Sequence, residues 1–99
     1  MDQDALDGLL EDLRQLVQLL QRYGEDRWAA WFGHDLARLQ HADGYAIDHL
    51  RQAYGGAGSI NDLVLSPVNG HPIAPTDAPA VNEELRRLLI GVYDAITTR

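Results

Sequence analysis

Leu6, Leu9, Leu10, Leu13, Leu16, Val17, Leu20 and Tyr23 recur at i, i+3, i+4 and i+7. That spacing places them on one face of an α-helix of about six turns. An apolar stripe of this length has to be covered by other elements of the chain. Asp2, Asp4, Asp7, Glu11 and Asp12 cluster at its start, where carboxylates favour the positive end of the helix dipole. Gly24 is a natural stop. The pattern predicts a helix over residues 3–23.

Covering elements are legible downstream. Trp28, Trp31, Phe32, Leu36 and Leu39 make the apolar stripe of a second helix, expected from about Asp26 to His41. Gly33 interrupts it, which predicts a close helix crossing there. Asp43 can cap a shorter third helix with Ile47, Leu50 and Tyr54 on one side, ended by Gly55. A last helix is expected from about Pro79, capped by Asp77, with Leu85, Leu88, Leu89, Val92 and Ile96 facing inwards. Between these, Leu63-Val64-Leu65 favours extended backbone, and Asn69-Gly70 is the preferred pair for a tight hairpin turn. Pro67 and Pro72 flank that turn and would keep any pairing short. The expected fold is mainly α: a compact four-helix arrangement in one helical domain over residues 1–99. It includes a glycine-rich turn and allows a short β-hairpin before the last helix.

Charge narrows the function classes. Fifteen acidic residues against eight basic ones give −7 at pH 7. Such a surface repels a phosphate backbone, so direct nucleic-acid binding is not expected. A basic protein, by contrast, would be steered towards it. The absence of cysteine rules out disulfides, a thiol nucleophile and thiolate metal sites. The acidic start differs from a signal peptide, and no apolar run suffices for a bilayer span. The expected location is therefore cytoplasmic, away from the membrane.

Few residues suggest chemistry. His34 and His41 share a helix face with Arg38 between them, and His49 follows. An arginine on that face opposes a cation, and no metal-ligand spacing occurs, so no metal is expected. The carboxylates show no diagnostic acid–base spacing, and Ser59 has no histidine positioned for a triad. Neither a catalytic residue nor a cofactor is predicted. Trp28, Trp31 and Phe32 read as core, with one tryptophan able to reach the surface as an interface anchor.

The tightly specified block is Tyr54-Gly55-Gly56-Ala57-Gly58-Ser59-Ile60-Asn61-Asp62-Leu63. Its glycines could cradle an anion or simply turn the chain. Ser59 and Asp62 fit a capping arrangement, with Ile60 and Leu63 anchored inwards. Asn61 and Asp62 could be local caps or exposed contact groups, because both types also bond nearby backbone.

This block resembles the signature of a small bacterial family with the pattern aromatic-Gly-Gly-Met-Gly-Ser-aromatic-Asn-Asp-Leu. Ala57 replaces the usual methionine and Ile60 the common aromatic. The family is similar to immunity proteins that neutralise secreted toxins, so the resemblance implies a binding protein that occludes a basic toxin domain. On that expectation Asp35, Asp43, Asp48, Asn61 and Asp62 form the contact face, with Tyr45 as an aromatic anchor off the third helix's buried side. The acids of residues 2–12 offer a competing face. Two other readings stand beside it: an acidic mimic that blocks a nucleic-acid-binding or defence protein, and a helical self-association module.

Overall fold

The computed structural model describes residues 1–55 and 58–98. Its α-helices run in order α1 (Gln3–Arg22), α2 (Asp26–Gln40), α3 (Tyr45–Gln52) and α4 (Ala78–Thr97). Two short 3-10 turns lie between the last two, at Ile60–Asp62 and Pro67–Asn69, and no strand occurs among the described residues.

The long stripe organises the core. Leu9, Leu13, Leu16 and Leu20 of α1 are buried, and α1 packs along both α2 and α4. Asp2 caps α1 by accepting the Ala5 N–H at 2.7 Å. Gly24, at φ +77°, reverses the chain so that α2 returns along α1. Phe32 of α2, Leu50 of α3 and Leu85, Leu88, Val92 and Ile96 of α4 close the same core. Ile60, Leu65 and Ile73 plug it from the long connection.

Three local expectations need correction. A Cβ built at Gly33 would meet Val17 at 3.9 Å, an ordinary contact, so the α1–α2 crossing does not require glycine there. Asp77 stands at the head of α4 but its side chain makes no capping hydrogen bond. Finally, the hairpin does not form. A type I′ turn needs positive φ at both central residues, whereas Asn69 belongs to a 3-10 turn and only Gly70 is left-handed, at φ +84°. Pro67 supplies the φ that starts this turn. The extended Leu65 finds another partner: its N–H donates to Asn82 Oδ1 and its carbonyl accepts from Asn82 Nδ2, both at 2.8 Å. One side-chain amide on α4 thus takes the place of a neighbouring strand.

Ala42, between α2 and α3, adopts φ +59° without being glycine. A left-handed conformation costs an L-residue roughly 1–2 kcal/mol. Ala42→Gly should therefore stabilise the fold by about 0.5–1 kcal/mol after glycine's larger unfolded-state entropy is subtracted. Chemical denaturation would check the sign.

Candidate functional site

Five of the expected contact residues lie on or beside α3 and the 3-10 turn that follows it: Asp43, Tyr45, Asp48, Asn61 and Asp62. Asp43 starts α3: one carboxylate oxygen accepts the Tyr45 N–H at 3.0 Å and the other accepts from Arg38 Nε at 3.0 Å. The Arg38 bond, seconded by that backbone N–H, holds the Asp43 carboxyl below its ordinary range. Asp43 is thus committed to local structure and to α2. Tyr45 follows with 76% of its surface exposed. Asp48 and Arg51 continue at i+3 and i+6, with their side chains exposed and 3.3 Å apart. The Ile60 N–H bonds the Ala53 carbonyl at 2.9 Å, which seats the next 3-10 turn on the end of α3. Asn61 and Asp62 are exposed on that turn.

The local role of the Asn61–Ser59–Asp62 turn is visible in its hydrogen bonds. The Ser59 hydroxyl accepts the Asn61 N–H at 3.3 Å. Asp62 reaches back to the Gly58 N–H at 2.8 Å, one residue further than a capping box requires. The outward position of the pair leaves their remaining groups free to meet a partner. Gly55 and Gly58 have φ of +93° and +77°. The nest reading depends on successive N–H groups through Gly56 and Ala57, which lie outside the described residues.

Asp35 is not part of this surface. It is fully buried on α2, and the expectation that it meets a partner is overturned. Its carboxylate can only accept, so His49 Nδ1 must carry the proton that it donates, 2.7 Å from each oxygen. Burial raises the Asp35 carboxyl above its ordinary value, and the His49 bond and charge pull it back. The His49 ring lies flat on Trp31, with centroids 4.1 Å apart and planes 14° apart, and His34 meets it edge-on. Trp31 Nε1 is buried with no hydrogen-bond partner among the described residues. Trp31, the less buried of the two tryptophans, thus uses one ring face to hold a histidine. The sequence did contain a signal. The buried stripe of α2 runs Trp28, Phe32, Asp35, Leu39, so the acid occupies a core register that a carboxylate takes only when paired.

A second feature went unread. α3 and α4 border a groove of about 570 Å³ lined by Arg51, Tyr54, Asn61, Arg86, Ile90 and Tyr93. Two bonds hold its walls: the Tyr54 hydroxyl donates to the Leu89 carbonyl at 2.7 Å, and Arg51 Nη2 to the Ile96 carbonyl at 2.8 Å. Burial, helped by Tyr93, raises the Tyr54 phenol far above its ordinary value and keeps it a donor.

A family described as a domain of unknown function, DUF6966, matches residues 21–74, more than half of the chain. The chain belongs to that family. Its DUF6966 segment runs from the last turn of α1 through α2, α3 and both 3-10 turns, and so contains Asp35, His49 and the exposed ridge of α3. No curated protein and no solved structure matches. Among the described residues, no group of three or more His, Asp or Glu side chains is placed to hold a metal, and no helix is long and apolar enough to cross a membrane.

Proposed function

We propose that this chain is a stoichiometric binding protein that neutralises a basic protein domain by covering it, in the manner of toxin-immunity proteins. The carrying observation is Tyr45: a large aromatic ring, 76% exposed, standing among carboxylates on a helix fixed from behind by Asp35 and His49. Exposed aromatics on rigid elements supply area at small entropic cost and are frequent interface anchors. The charge of −7 supplies long-range attraction to a cationic partner. Asp48, Asn61 and Asp62 then offer acceptors for arginine and lysine at close range. Asp43 acts from the start of α3, where its carboxylate already serves Arg38 and Tyr45. Neither turnover nor a cofactor enters this reading, and its setting is the bacterial cytoplasm.

Affinity measurement against the basic toxin domain encoded by the adjoining gene tests the proposal. A tight 1:1 complex is expected, with association slowing as salt rises. Tyr45→Ala should weaken it by about tenfold or more. Asp48→Arg should mainly slow association. Absence of a complex with that toxin, or an affinity indifferent to Tyr45, would sink the reading.

A further inference from the structure

We infer that the α3–α4 groove is a self-complementary interface that receives α4 of a second copy of this chain, antiparallel, about a two-fold axis at Ile90. The outward face of α4 repeats at heptad spacing: Glu83, Arg86, Ile90, Tyr93 and Thr97. All five are exposed, and Ile90 and Tyr93 remain 60% and 45% exposed although both are large and apolar. A 3–4 repeat of this kind on a packed helix is the pattern of a seam between two helices. The face is not required by the core, because Leu85, Leu88, Leu89, Val92 and Ile96 already fill the inner side.

The charges identify the occupant. Arg86 and Asp94 both line the groove and stand four residues to either side of Ile90. In an antiparallel two-fold crossing at Ile90, residue 90−k meets residue 90+k of the other copy. Arg86 then faces the second copy's Asp94, and the same pair recurs on the other side, so two ion pairs bracket an Ile90–Ile90 contact. A symmetric interface must satisfy itself in this way: each residue's partner is its own mirror position. A basic toxin would instead find Arg51 and Arg86 repelling it here, so this face and the Tyr45 ridge take different partners, with Asn61 and Arg51 at their border.

Sedimentation equilibrium of the full chain, with the variants R86E, D94R and the double variant R86E/D94R, tests the interface. The positions are exposed, so helical circular dichroism should stay unchanged in all three. The native chain should associate to a dimer with rising concentration. Each single reversal places like charges opposite each other twice and should weaken association by about tenfold or more, while the double variant restores it. A native chain that stays monomeric to millimolar concentration would overturn the inference. So would single reversals without effect, or a double variant no better than the singles.

Discussion

Replacing His49 with alanine is expected to remove about 3 kcal/mol of stability at neutral pH, a fall in melting temperature of roughly 12–20 °C for a domain of this size. The reason is what stays behind. Asp35 is fully buried, and without the imidazole its carboxylate faces low-dielectric surroundings with no hydrogen-bond donor from His49. His49 itself keeps 29% of its side chain exposed, which places the loss at the lower end for broken buried pairs. The direction with pH follows from Asp35. Its folded pKa is already raised by burial, and His49 is the main influence lowering it. Removing His49 raises it further. A raised folded pKa means that the group's stability contribution is complete below its unfolded pKa and is lost as pH rises through the folded value. His49→Ala should therefore recover much of its deficit as the solution is acidified, while Asp35→Asn in the same background should flatten that dependence. A deficit that stays constant from neutral to mildly acidic pH would contradict the assignment.

Asn82→Ala is the second large expected effect, about 2 kcal/mol or more. The amide satisfies three backbone groups at once: the Leu65 N–H, the Leu65 carbonyl and the Ala78 carbonyl, each at 2.8 Å. Alanine would leave the first two without partners in a residue that is fully buried. Asn82→Asp is the sharper test, since it is nearly isosteric. It keeps an acceptor for the Leu65 N–H but turns an anionic oxygen towards two carbonyls, and should be no better than alanine at neutral pH. Amide hydrogen exchange at Leu65 reads the same contact locally and should accelerate in both variants. Unchanged protection there would show that the extended segment is held by something else.

These two sites also show where sequence pattern stops being informative. Helical periodicity located all four helices, because the leucines of α1 and α4 obey one repeat throughout and burial follows that repeat. Local capping was legible at Asp43 and Ser59 for the same reason: donor and acceptor lie within a few residues. Asn82 and Leu65 are seventeen positions apart, and nothing in either neighbourhood announces the pairing. The hairpin was expected because Asn69-Gly70 fits it locally, but the segment at Leu65 pairs with a remote amide instead of a neighbouring strand. Asp35 was readable in principle. A carboxylate between Phe32 and Leu39 breaks the apolar register, and that break marks a buried pair rather than an exposed contact. The groove has no linear signature, since Arg51 and Arg86 approach it from different helices.

The corner at Gly24 has a wider consequence. A Cβ built on Gly24 would touch the ring of Pro72 at 3.4 Å, and neighbouring Glu25 bonds His71. Residues 24–25 and 71–72 sit near the two limits of the stretch shared with the family. That stretch is consequently a closed loop whose entrance and exit adjoin, like a purse drawn shut at its neck. α1 and α4 lie largely outside that neck and still complete the core of what it encloses, through Leu9, Leu13, Leu16, Leu85, Leu88, Val92 and Ile96.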